Sequence, residues 1–256
     1  MTRIIMSGCN GKMGRVITES VKGRDDCSIV AGIDLMNKTE NMTYPVYKTA
    51  SEVTEDADVI IDFSNPSLLS SLLGFAIAKE MPIVLCTTGY TEQQVEELKQ
   101  ASHEIPVFYS RNMSLGINLL IELSKKAASV LGDQFDIEII EKHHNQKIDA
   151  PSGTALMIAD GISEIKTDAR YMYDRHSRRQ KRDSSEIGIH AVRGGTIVGE
   201  HEVLFAGPHE VITLSHSAQS KEVFGNGAIN AAIFLAEQPA GLYDMSHLLN
   251  ERGESK

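Results

Sequence analysis

Apolar positions in the first half of the chain follow two alternating periods. Short β-rich runs at residues 3–7 and 28–33 predict strands, and the nearly all-apolar runs at 59–61, 83–86 and 107–109 predict strands covered on both faces. Between them, residues 12–22 place Met13, Val16, Ile17 and Val21 at helical spacing and leave Arg15, Glu19 and Lys22 on the polar side. Residues 67–79 and 91–102 read as further helices, the second opening on a capping-box pattern with Gln94 three positions after Thr91. Strand and helix in alternation predict an α/β fold with a doubly wound parallel sheet and right-handed crossovers.

The rhythm changes after Asn112. A long amphipathic helix is predicted at 116–131, a strand at 135–141 and a helix at 154–164. Three strand-like runs follow at 187–193, 196–205 and 210–217, joined by short turns containing Gly194-Gly195 and Gly207-Pro208. They read as a meander, so the second domain is expected to be α+β with a mixed or antiparallel sheet. A last helix at 228–237 resumes apolar packing and suggests a return to the first domain. The expected division is residues 1–113 with 222–256, and residues 114–221.

Charge narrows the class of partner. The 256 residues carry 25 Lys+Arg against 35 Asp+Glu, a formal charge of −10, so the chain's own field disfavours nucleic acid and anionic membranes. No apolar run approaches the roughly 18 residues that span a bilayer, and the start lacks a signal-peptide pattern, which points to a cytoplasmic protein. Cys9, Cys27 and Cys86 lie far apart with no CxxC pair, so neither a disulfide framework nor a metal site is expected. The basic run Arg175–Arg182 inside this acidic chain reads as a solvated loop rather than a nucleic-acid patch.

Two segments carry chemistry. Gly8-Cys9-Asn10-Gly11-Lys12-Met13-Gly14 is a GxxGxxG between a strand and a helix, where glycines allow close backbone approach and the helix N-terminus offers N–H donors to a pyrophosphate. It is offset from the usual GxGxxG, but Asp34 closes the next strand about 20 residues on, placed to accept ribose hydroxyls. Leu35 and Met36 follow it, with no arginine to bind a 2′-phosphate, so NADH is favoured and NADPH stays open through Lys12 and Lys38. A glycine-rich turn without a ligand is the competing reading.

The second segment runs from Glu141 to Thr154, EKHHNQKIDAPSGT. Two histidines, Lys147 and a Ser-Gly-Thr helix start suit an anionic substrate: the helix end and the lysine hold a carboxylate, and a histidine donates a proton. The competing reading is an exposed His pair at a strand end. Zinc is disfavoured, because adjacent histidines on a strand point to opposite faces and HExxH is absent.

The string HHNQKIDAPSGTA from His143 to Ala155 resembles the HHxxKxDAPSGTA signature of the dihydrodipicolinate (4-hydroxy-tetrahydrodipicolinate) reductase family of bacterial lysine biosynthesis. Similar matches follow in order: GxxGxxGR at Gly8–Arg15, IDFS at Ile61–Ser64, CTTG at Cys86–Gly89, RNMSLGIN at Arg111–Asn118, GTIVGEHEV at Gly195–Val203, FGNGA at Phe224–Ala228 and GLYDM at Gly241–Met245. Two positions depart from the family pattern, Cys86 where it usually has Gly and Met113 where it often has Phe.

The resemblance implies a Rossmann-like first domain that binds NADH or NADPH, and a second domain that binds a small dicarboxylate and builds a homotetramer. Carried over position by position, Gly8, Cys9, Asn10, Gly11, Lys12 and Met13 would hold the pyrophosphate and Asp34 the adenosine ribose. Cys86, Thr87 and Thr88 would line the nicotinamide side, with Ser110, Arg111, Asn112 and Met113 closing over the cofactor. His143 would donate the proton, Lys147 would be a second donor, and His144, Gly153 and Thr154 would bind substrate carboxylates. The implied reaction is hydride addition at ring C4 after loss of water. Another two-domain NAD-dependent dehydrogenase, and a silent nucleotide-binding sensor on the same fold, are the alternatives.

Overall fold

The computed structural model describes residues 1–39 and 42–254. In chain order the elements are β1 (Thr2–Ser7), α1 (Lys12–Val21), β2 (Cys27–Ile33), β3 (Val46–Tyr47), β4 (Val59–Asp62), α2 (Leu69–Ala78), β5 (Ile83–Leu85), α3 (Glu92–Ala101), β6 (Pro106–Tyr109) and α4 (Leu115–Leu131). There follow β7 (Asp136–His143), α5 (Gly153–Ile165), β8 (Arg170–Met172), β9 (Glu186–Arg193), β10 (Gly199–Ala206), β11 (Val211–Ala218), α6 (Glu222–Leu235), β12 (Gly241–Tyr243) and α7 (Met245–Glu254). The chain divides into two compact units, Met1–Leu115 with Lys221–Lys256, and Gly116–Ser220.

The first unit is built on seven strands in the order β12-β6-β5-β4-β1-β2-β3, every described pairing parallel. Strand alternation explains why helices cover both faces. Ile4, Met6, Ile61, Val84 and Phe108 point to one face, where Ile17 of α1 and Ala228, Ile229, Ala232 and Leu235 of α6 meet them. Ile5, Ile60, Ile83, Leu85 and Val107 point to the other, against Leu69, Leu72, Leu73 and Ala76 of α2 and Leu98 and Ala101 of α3. The doubly wound parallel sheet expected from the sequence is present. The capping box at α3 also forms: Thr91 Oγ1 accepts from Gln94 N at 3.2 Å, and Gln94 Oε1 accepts from Thr91 N at 3.0 Å.

Strand order reverses at β1, which sits between β4 and β2. The loops that leave β1 and β4 at their C-terminal ends therefore diverge to opposite sides and open a crevice, the usual ligand position in open α/β sheets. The edge strands β3 and β12 have two and three residues, too short for periodicity to reveal.

In the second unit the sheet order is β11-β10-β7-β9-β8. This corrects the expected meander. β10 and β11 form the antiparallel hairpin, but β7 lies between β9 and β10, antiparallel to β10 and parallel to β9. The inserted strand lets Ile137 and Ile139 of β7 join Ile187 and Ile189 of β9 and Val203 and Phe205 of β10 in one apolar row, packed on Ile158, Ala159 and Ile162 of α5 and Ile117 and Leu120 of α4. Residues 196–198 lie ahead of β10 rather than opening it, and α6 begins at Glu222 rather than 228.

The basic run is a largely exposed loop, as expected, with residues 176–181 all exposed, and it is anchored at its two ends. Arg182 donates to Asp136 at 2.7 Å and Glu138 at 3.0 Å on β7, and Arg175 is paired with buried Glu186. Among the described residues no helix is long and apolar enough to cross a membrane.

Candidate active site

In the first unit the glycine motif forms the β1–α1 turn. Gly8 has φ +79°, and a side chain there would stand 2.6 Å from Phe63 O; one at Gly14 would stand 2.3 Å from Gly8 O. Both positions need glycine, one for its left-handed backbone and both for close approach. Gly11 precedes α1 with no side chain capping the helix and no acidic residue in its first turn, so the N-terminal N–H groups are left for an anion. Asp34 ends the next strand segment beside this turn: its Oδ2 accepts from Asn10 N at 3.1 Å and its Oδ1 from Met36 N at 2.9 Å. Asn10 also exchanges hydrogen bonds with the Lys38 backbone, at 3.0 Å each way, which docks the Asp34 loop on the glycine turn.

These features fit a dinucleotide: a glycine cradle that a Cβ would fill, an uncapped helix end, and a carboxylate held against the glycine turn. The side chains of Cys9, Cys86 and Met113 belong to the apolar core. Burial pushes the Cys9 thiol up to about 11, with the nearby Asp34 charge adding to the effect, so it is not a reactive thiolate.

Further along the same crevice, Asp62 is buried at the end of β4. Its Oδ1 accepts from Ser64 Oγ at 2.5 Å and its Oδ2 from Thr87 Oγ1 at 2.7 Å, tying the β4 and β5 loops together. Thr87 is buried while Thr88 is exposed. After β6, Ser110 Oγ donates to Asn112 O at 2.9 Å, Asn112 Oδ1 accepts from Ser114 N at 2.8 Å, and Arg111 is exposed.

In the second unit, the end of β7 and the start of α5 converge on one carboxylate. Glu141 is fully buried. Arg193 of β9 grips it at two points, Nη1 to Oε2 and Nη2 to Oε1, both 2.7 Å. Glu141 Oε2 lies 2.6 Å from His143 Nδ1, and Oε1 accepts from Ser152 N at 2.9 Å. Burial opposes its ionisation, yet the hydrogen bonds from Arg193, His143 and Ser152 outweigh that and hold its carboxyl below the ordinary range. Burial lowers His143, opposed by Glu141 and reinforced by the charges of Lys147 and Arg193.

Ser152 caps α5, its Oγ accepting from Ala155 N at 3.1 Å. Gly153, the first residue of the helix, is exposed, and a side chain there would meet nothing within 4 Å, so the helix end opens outward. Lys147 Nζ pairs with Asp149 Oδ1 at 2.8 Å in the loop between. The His144 Nδ1 atom is buried with no hydrogen-bond partner. A third histidine, His201 of β10, stands edge-on to His143 with ring centroids 5.2 Å apart. Burial, and then the neighbouring His143, push His201 down to about 3. It is therefore a neutral ring near pH 7.

The structure thus brings His143, His144, Lys147, Gly153 and Thr154 to one end of the second unit. Sequence reasoning singled these out but assigned no role to Glu141, Ser152, Arg193 or His201. Glu141 carried a signal: it falls in the same alternate register as Ile137, Ile139 and His143, an acid at an inward-facing position.

Two family models cover most of the chain, "Dihydrodipicolinate reductase, N-terminus" at residues 2–113 and "Dihydrodipicolinate reductase, C-terminus" at residues 116–249. The chain belongs to the dihydrodipicolinate reductase family. A relative named 4-hydroxy-tetrahydrodipicolinate reductase from Caldanaerobacter subterraneus subsp. tengcongensis is 54% identical over 98% of this chain and 99% of its own. Another of that name from Clostridium novyi is 48% identical over 98% and 100%. Among solved structures, a dipicolinate-bound dihydrodipicolinate reductase from Paenisporosarcina sp. TG-14 matches with TM-score 0.79 at 25% identity, over 95% of this chain and 97% of that one. A probable dehydrogenase from Thermotoga maritima, at TM-score 0.64 and 12% identity over 96% and 92%, shares the fold alone. As a member of the dihydrodipicolinate reductase family, the chain is an NAD(P)H-dependent oxidoreductase of the diaminopimelate route to lysine.

Proposed function

We propose that this chain reduces 4-hydroxy-tetrahydrodipicolinate to tetrahydrodipicolinate, with water lost from the ring before reduction. The observation that carries this reading is the His143–Glu141 contact next to the open N-terminus of α5, a proton donor beside an anion-binding helix end. The first unit is read as the cofactor domain and the second as the substrate domain. When bound, the reduced nicotinamide supplies the hydride, delivered to ring C4.

The remaining work falls to the chain's own groups. Gly8, Cys9, Asn10, Gly11, Lys12 and Met13 present backbone N–H groups and the α1 N-terminus to a pyrophosphate, and Asp34 receives the ribose hydroxyls. Cys86, Thr87, Thr88 and Ser110, Arg111, Asn112 and Met113 form the nicotinamide side. Gly153 and Thr154 offer the α5 N-terminus to one substrate carboxylate, where the helix dipole favours negative charge. His144, which follows His143 at the end of β7, is read as a further contact to the substrate carboxylates. Lys147 supplies a full positive charge against a substrate dianion that the net charge of −10 would otherwise repel.

Hydride addition raises electron density on the ring, so cations and proton donors stabilise the transition state more than the ground state. His143 gives its proton to the resulting enamine, and Lys147 acts as a second donor. NADH is the favoured cofactor. Assembly as a homotetramer and a cytoplasmic location belong to the same proposal.

The test is loss of nicotinamide absorbance, with substrate generated in situ from pyruvate and aspartate semialdehyde by the preceding synthase. Oxidation that requires both substrate and this chain is expected. No oxidation by a preparation that binds NADH would overturn the enzyme reading in favour of a nucleotide sensor.

A further inference from the structure

The carboxylate of Glu141 has three different kinds of neighbour. It meets the imidazole of the proposed donor, the backbone that starts the anion-binding helix, and the guanidinium of Arg193. Arg193 in turn donates through Nη2 to Asp149 O at 2.6 Å, in the loop that carries Lys147. These groups come from β7, β9, the 144–151 loop and the α5 cap.

We propose that Glu141 is a positioning residue that fixes the tautomer of His143, keeping the proton of the neutral ring on Nδ1 so that every proton given up or regained passes through Nε2. The proposal rests on the reading of His143 as the proton donor. A fully buried carboxylate held by Arg193 stays ionised and can only accept, so the nitrogen 2.6 Å away must be the one that donates. Nε2 is then the basic nitrogen. It lies toward Gly199, where an added methyl would stand 3.1 Å away, and the missing side chain leaves that nitrogen uncrowded.

The charged and titratable groups that face the ring are Glu141 on its own strand, Arg193 of β9, Lys147 of the loop and His201 of β10. Arg193 and Lys147 both disfavour an imidazolium, and neutral His201 adds no charge to offset them. Glu141 is the one anion among these groups. It therefore has two effects, setting which nitrogen is protonated and supporting the charged form that donates.

Glu141→Gln separates these effects from simple loss of fold. The amide carries no charge, and its NH2 can donate to Nδ1, which places the neutral-ring proton on Nε2. The expected result is an alkaline limb of the kcat profile moved at least one pH unit lower, a tenfold loss at any pH above both midpoints, with KM for NADH unchanged. An unshifted limb in a folded variant overturns the proposal. If Glu141→Gln does not fold, 15N spectra of histidine-labelled wild-type protein decide the matter. The His143 resonances are assigned by their loss in His143→Gln. A proton on Nδ1 in the neutral ring is expected, and a proton on Nε2 overturns the proposal. His143→Gln also keeps the two readings apart: if it retains full turnover the donor role falls, whereas the tautomer result stands or falls on the spectra.

Discussion

Ser152 Oγ lies 3.1 Å from His201 Nε2, a link between the cap of α5 and the middle of the sheet. Both side chains are buried, and His201 Nδ1 has no partner. A proton gained by this ring would therefore place a charge at a buried site.

His201 accordingly makes the fold acid-sensitive. Its pKa is about 3 in the folded chain and about 6.5 when unfolded, so between those values the unfolded state binds more protons. Its contribution is complete above pH 6.5 and is lost as pH falls toward 3. His143 and His216, also lowered, add to the same slope, while Glu141 acts only below the ordinary carboxylate range. From pH 7 to 5 the His201 share is about 2 kcal/mol. Urea midpoints of wild type and His201→Gln at the two pH values measure it; an equal pH dependence in both would contradict the assignment.

Arg193→Met should be far more damaging than loss of a surface arginine. It leaves Glu141 buried with no counter-charge, a change that costs about 3–5 kcal/mol where buried pairs are broken. The cost should be strongly non-additive with Glu141→Gln, because removing the charge as well as its partner relieves the penalty. A double-mutant cycle in urea reads the coupling, and additive losses would mean that the ion pair is energetically idle.

How much of this was legible in the sequence depends on range. The β1–α1 turn, Asp34 and the HHNQKIDAPSGT segment could be read because each is a local pattern whose spacing is set within one or two elements. The insertion of β7 between β9 and β10 could not, since strand order depends on which apolar rows match across about 50 residues. The Glu141–Arg193–Ser152–His201 network is scattered over 60 residues for the same reason. The alternation that exposes Glu141 also runs through Ile187, Ile189 and Arg193 on β9 and through His201, Val203 and Phe205 on β10. Polar residues that continue an inward-facing row past the end of its helix cover mark the site.

Lys147→Ala should act on catalysis and leave stability nearly unchanged. Its partner Asp149 is mostly exposed, and such pairs contribute about 0–1 kcal/mol. The expected outcome is a KM for the ring dicarboxylate raised about tenfold and a kcat lowered about tenfold or more, because a carboxylate contact and a transition-state charge are lost together. Steady-state kinetics with the thermal midpoint measured alongside checks both halves. Unaltered KM together with unaltered kcat would remove Lys147 from the site.

On the proposed reading, cofactor preference turns on Asp34. Its two oxygens already receive Asn10 N and Met36 N, which orients the carboxylate beside the glycine turn, and the side chains that follow it, Leu35 and Met36, are exposed and apolar. A fixed negative charge there welcomes ribose hydroxyls and repels a 2′-phosphate, with no guanidinium beside it to reverse the sign. NADH should therefore be at least as effective as NADPH in kcat/KM. Asp34→Ser should raise kcat/KM for NADPH relative to NADH by about tenfold, since one charge repulsion of about 1.4 kcal/mol has that effect on the ratio. Parallel assays of wild type and variant with both cofactors supply the four values. A wild-type preference for NADPH above tenfold would show that Lys12 and Lys38, rather than Asp34, govern the field at the 2′ position.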